Sequence, residues 1–106
     1  MNAAAANQNG RHVAKNPELH RYELRMDGRV LGFAAYRERS DGVIVFTHTE
    51  IDEAYEGHGL GGRLARGALD DVHASGGSVV PRCPFIKGYI ERHPEFQDLV
   101  AEPGGE

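Results

Sequence analysis

The segment Glu56-Gly57-His58-Gly59-Leu60-Gly61-Gly62 places glycine at 57, 59, 61 and 62, directly ahead of a run with helical spacing. At a helix start, successive backbone N–H groups lack intrahelical partners and the dipole is positive, so an anionic group is favoured there. Glycines remove the Cβ atoms that would keep a phosphate off the backbone, and they let consecutive amides converge. Gly57, Gly59 and Gly62 also spell GxGxxG, a spacing that chance produces in ordinary flexible turns. A dinucleotide site with that spacing needs an acidic residue closing the next strand, and here that strand ends Val79-Val80-Pro81-Arg82. No Gly-Lys-Ser/Thr follows the glycines, which removes the P-loop reading.

Three further side chains could do chemistry. Cys83 precedes Pro84 at an expected helix start, where positive amides favour a thiolate; the alternative is a small buried hydrophobe. By period-two alternation His48 shares a strand face with Ile44, Phe46 and Glu50. Its imidazole could take a proton from an amine or from Cys83, or be a hydrogen-bonded structural residue. Tyr89 could protonate a leaving thiolate, with core packing as its other role. Lys87 and Arg92 on the same segment could meet phosphates or simply be solvated. The six histidines and single cysteine show no HxxxH or CxxC spacing, so no metal is expected.

These residues need a scaffold, and the periodicity supplies one. Residues 22–26 alternate Tyr22, Leu24 and Met26 with Arg21, Glu23 and Arg25, a strand with one wet face. Asp27-Gly28 carries tight-turn chemistry. Residues 30–39 are apolar on both faces and read as a central strand, and after Ser40-Asp41-Gly42 residues 43–49 are strongly β-prone. The period then turns helical: Leu60, Leu64, Ala68, Leu69 and Val72 form one stripe, stopped by Ser75-Gly76-Gly77. Ser78-Val79-Val80 is a short strand ended by Pro81, and Pro84 starts a second helix that closes before Pro94. A strand, a helix and a strand in succession allow parallel pairing through a right-handed crossover. The expectation is an α+β domain with a mixed, mainly antiparallel sheet in β-β-β-α-β-α order over residues 17–100. Residues 1–16 and 101–106 read as disordered tails.

A chain of 106 residues with 40% hydrophobic and 26% charged residues fits one soluble domain. A net charge of −4 argues against nucleic acid as a partner. No apolar run is long enough to span a bilayer, and no signal-peptide pattern occurs. One unpaired cysteine fits the reducing cytoplasm, and a monomer is expected.

Glu56-Gly57-His58-Gly59-Leu60-Gly61 resembles the Gln/Arg-x-x-Gly-x-Gly/Ala coenzyme A loop of the GCN5-related N-acetyltransferase superfamily. His48-Thr49-Glu50, Cys83-Pro84-Phe85 and Tyr89-Ile90-x-x-His93-Pro94-Glu95-Phe96 are similar, in the same order, to its short single-domain acetyltransferase-like members. The resemblance implies acetyl-coenzyme A as cofactor, held by Ile51, by Gly57, His58, Gly59, Leu60, Gly61, Gly62 and Arg63, and by Lys87. It implies transfer of acetyl to an amine such as a protein lysine or N-terminus, with Cys83 near the thioester either as an acylated nucleophile or as a pocket wall. A non-catalytic module that binds acetyl-coenzyme A is the alternative function, and a cysteine enzyme working without the cofactor is a third. Glu56 stands where the family carries Arg or Gln, and with Asp52 and Glu53 it would repel a pyrophosphate, which Arg63 and Arg66 could offset. The larger acetyltransferases grip the acceptor with helices between their first strands, which Asp27-Gly28 replaces here.

Overall fold

The computed structural model describes residues 11–101. Five strands form one sheet in the order β1-β2-β3-β4-β5: β1 (Arg11–Asn16), β2 (Arg21–Met26), β3 (Arg29–Glu38), β4 (Ile44–Ile51) and β5 (Val79–Pro81). Helix α1 (Leu60–Ala74) separates β4 from β5, and α2 (Pro84–Arg92) follows β5. Neighbours are antiparallel except β4 and β5, which run parallel with Ile44 opposite Val79 and Phe46 opposite Pro81. The mixed α+β sheet is therefore as expected, and β3 is its middle strand. The sharp β2–β3 hairpin rests on Asp27 (φ 51°) and Gly28 (φ 79°), the two positive-φ residues such a turn requires.

The expected element order lacked a strand. Residues 11–16, assigned by pattern to the N-terminal tail, pair antiparallel with β2, Val13 opposite Leu24; residues 1–10 and 102–106 lie outside the described residues. The reason is tertiary. Val13 and Ala14 are the strand's apolar residues, too few to show a period, and Val13 lies directly against Gly67 of α1. A Cβ built on Gly67 would sit 2.5 Å from Val13 Cγ2 and 2.6 Å from its Cβ. In a helix interior Gly→Ala is ordinarily stabilising by about 1 kcal/mol, whereas overpacking costs about 1–3 kcal/mol. Gly67→Ala is therefore expected to lower the unfolding free energy, measured by urea denaturation. A stabilised variant would mean that β1 does not seat on α1.

Both helices pack on one face of the sheet. Leu60, Leu64, Ala65, Ala68, Leu69 and Val72 of α1 and Ile86, Tyr89 and Ile90 of α2 join Tyr22, Leu24, Ala34, Tyr36, Ile44 and Phe46 in a single core. Tyr22 donates to Asp71 Oδ2 at 2.6 Å, tying β2 to α1, and burial followed by that carboxylate pushes the phenol well above its ordinary pKa. Among the described residues no helix covers the opposite face. The apolar residues that β3 shows there are shielded by side chains instead: the Arg21 guanidinium lies 4.6 Å from the Phe33 ring centre.

That face is also less wet than alternation implies. Glu23 is 3% exposed, with Arg21 at 2.8 Å, Arg25 at 2.7 Å and the Asn16 amide donating at 3.0 Å. The two arginines flanking it in sequence fold over it, so a position that reads as solvent-facing is enclosed.

Candidate functional site

A bulge in β4 decides which side chains reach the helices. Tyr36 pairs with Phe46 and Ala35 with His48, leaving Thr47 as the extra residue, its hydroxyl donating to the Ala35 carbonyl at 3.4 Å. A bulge shifts alternation by one place. Ile44 and Phe46 face the core, as period two requires, but beyond Thr47 it is Thr49 and Ile51 that take the helix face. His48 and Glu50 turn to the helix-free face, 59% and 60% exposed, with His48 Nε2 2.7 Å from Glu50 Oε2 and its ring edge-on to Phe33. The expectation that His48 lies with Ile44 and Phe46 fails for this reason. It does share a face with Glu50.

β5 accompanies β4 only to Phe46, because Pro81 ends the strand and the chain turns into α2. Past that point Thr49 and Ile51 open onto a groove of about 270 Å³, lined also by Tyr55, Glu56, Gly57, Gly59, Leu60, Gly61 and Phe85. Its walls are the free end of β4, the loop into α1 and the start of α2. Gly32 of β3 makes room for the β4 wall: a Cβ there would sit 2.5 Å from Ile51 Cδ1 and 2.7 Å from the Glu50 carbonyl oxygen.

The four loop glycines divide into two pairs. Gly57 (φ 85°) and Gly59 (φ 74°) hold left-handed backbone, and a Cβ on either would meet nothing within 4 Å. They shape the loop and leave open space in front of it. Gly59 is the N-cap of α1 without any side-chain capping bond, so the first-turn amides are presented without an internal acceptor. Gly61 instead accommodates Phe85, whose Cζ would lie 2.7 Å from a Cβ there, and Gly62 lies against Tyr89. These two glycines serve the contact between helices as well as the loop.

The acidic neighbours are partly occupied. Asp52 accepts from the Ala54 amide at 2.9 Å, capping the short 3-10 turn Glu53–Tyr55, while Glu56 reaches the groove. Of the two arginines expected to compensate, Arg66 is engaged by Glu95 at 2.7 Å and lies over Phe96, while Arg63 is exposed and outside the groove lining. Arg66 in turn holds the Glu95 carboxyl below its usual pKa.

Cys83 is the N-cap of α2, with Pro84 in the first turn as expected, and is 3% exposed. Its amide donates to the Phe46 carbonyl at 2.9 Å, and its Sγ lies 3.3 Å from Thr49 Oγ1. Cys83 thus reaches the groove through Thr49 and not through His48. Tyr89 is buried, stacked on the His93 ring at 3.9 Å between centres and tilted 16°, a packing role outside the groove lining. Lys87 and His58 are exposed and also outside it. Of the expected cofactor residues, Ile51, Gly57, Gly59, Leu60 and Gly61 line the groove together. Tyr55 was not anticipated, and Thr49 and Phe85 were legible only as members of the His-Thr-Glu and Cys-Pro-Phe motifs.

A strand, a bare-amide glycine loop opening a helix, and a gap beyond a short parallel strand make a specific arrangement. The family model described as GCN5-related N-acetyl-transferase matches residues 21–99. The chain belongs to that family. Among solved structures, the solution NMR structure of a GCN5-like protein from Staphylococcus aureus superposes with a TM-score of 0.64 at 18% identity, covering 93% of this chain and 97% of that one. At that identity the likeness carries the fold. A search of the curated proteins finds no match. Strand β1 precedes the matched region, so the N-acetyltransferase signature begins at β2. No described helix is long and apolar enough to cross a membrane.

Proposed function

We propose that the protein binds acetyl-coenzyme A in the groove and transfers its acetyl group to an amine. The observation that carries this reading is that α1 starts without a side-chain cap at Gly59, with open space beside Gly57 and Gly59 at the edge of the groove they line. The fit is to both halves of the cofactor. The amides and Arg63 suit phosphates, and Ile51, Tyr55, Leu60 and Phe85 suit an uncharged arm. Bound acetyl-coenzyme A supplies an acyl carbon whose bond to sulfur breaks as the amine nitrogen bonds to it, releasing the coenzyme A thiol.

The amine must lose its proton, since a free lysine with a pKa of about 10.4 is almost wholly charged at neutral pH. His48 is the acceptor for that proton on this reading. It stands on the helix-free face beside the stretch of β4 that β5 leaves unpaired, and Glu50 holds its ring. The acceptor then approaches from the face opposite the helices. The unpaired thiol fits a reducing compartment such as the cytoplasm.

Calorimetric titration with acetyl-coenzyme A, followed by coenzyme A release with a panel of peptide and small amines, tests both parts. Micromolar binding with amine-dependent release is expected. Binding without release on any amine would favour a non-catalytic module, and no binding would end the reading.

A further inference from the structure

Thr49 lines the groove and its hydroxyl touches the Cys83 thiol. Its position follows from the Thr47 bulge, which turns it to the helix face opposite buried Ala34. Its hydroxyl has one proton and two lone pairs. Either group of the 3.3 Å contact can be the donor. If the hydroxyl donates to sulfur, it offers the groove only lone pairs. If the thiol donates, the hydroxyl proton is free to point into the groove. Sulfur is the weaker acceptor, so a carbonyl oxygen brought beside Thr49 draws that proton, with the thiol supplying the return bond.

Resting on the reading above, we infer that Thr49 is a substrate-orienting residue: its hydroxyl donates to the thioester carbonyl oxygen of the acyl donor, and the Cys83 thiol holds it in that rotamer. Cys83 is then a positioning residue. Its sulfur neither attacks nor carries the acetyl group. The hydrogen bond polarises the carbonyl toward the incoming amine, and no proton leaves Thr49 during transfer.

Acetyl-coenzyme A and coenzyme A differ in the acetyl group, so the ratio of their affinities reports this contact and is separate from turnover. Thr49→Val is close to isosteric and lacks the hydroxyl. It is expected to lower affinity for acetyl-coenzyme A by about 3- to 10-fold, the size of one net hydrogen bond, while coenzyme A binding, which also checks folding, holds. Thr49→Ser restores the preference, and Cys83→Ala weakens it part-way. A wild type that binds neither compound overturns the functional reading and this inference together. A wild type that binds both, with Thr49→Val changing neither affinity or both equally, overturns this inference alone. Recovery by mass spectrometry of acetylated Cys83 that passes its acetyl group to an amine would also overturn it.

Discussion

Gly59→Glu is expected to weaken acetyl-coenzyme A binding by about 100-fold in calorimetry, whereas Gly59→Asn keeps most of it. Both variants place a side chain on left-handed backbone at φ 74°, which costs L-residues roughly 1–2 kcal/mol and short polar Asn least. Neither meets protein within 4 Å at Cβ, so the fold accepts both. Beyond that smaller backbone cost for Asn, what separates them at a bound phosphate is the charge. A carboxylate about 4 Å from a phosphate repels it by roughly 1–4 kcal/mol between water and a protein surface, and about 2.8 kcal/mol is a factor of 100. Equal binding by the wild type and the Glu variant would place the anion elsewhere and remove the loop from the site.

The glycine loop that this experiment probes is legible in the sequence because its signals are local. The α1 stripe, its stop at Ser75-Gly76-Gly77, and the start of α2 at Pro84 all depend on contacts within a few residues. The end of α1 closes as such a signal requires, with the Gly76 amide bonded to His73 and the Gly77 amide to Val72. The parallel placement of β5 follows from a connection rule of similar generality.

What escaped the pattern depends on partners distant in sequence. β1 carries almost no period of its own; it is held by its pairing with β2 and by the hollow that Gly67, more than fifty positions away, leaves for Val13. The Thr47 bulge inserts one residue into β4, and a period-two reading, which assumes none, then assigns every later side chain to the wrong face. This single residue separates His48 from Cys83 and delivers Thr49 in its place. Gly61 likewise read as a ligand contact alone, although Phe85 occupies the space beside it.

Glu23 is where the same limitation bears on stability. Removing its carboxylate by Glu23→Ala is expected to lower the unfolding free energy by about 2 kcal/mol in urea denaturation. Breaking a buried ion pair costs about 3–5 kcal/mol when the abandoned partner stays buried. Here Arg21 and Arg25 are 25% and 33% exposed and regain water, so the cost falls below that range. Burial alone would raise the Glu23 pKa, but the bonds from Arg21, Arg25 and Asn16 outweigh it and hold the carboxyl below its ordinary 4.5. With a folded pKa below the unfolded one, the unfolded state binds the proton more readily. The cluster's contribution is therefore complete above about pH 5 and declines as pH falls through the folded pKa. Glu23→Gln keeps an acceptor for the arginines but not the charge, and its deficit relative to wild type should shrink as the solution is acidified below pH 4. A deficit that stays constant with pH would show that the carboxylate's charge contributes nothing and that packing alone closes this face of β2.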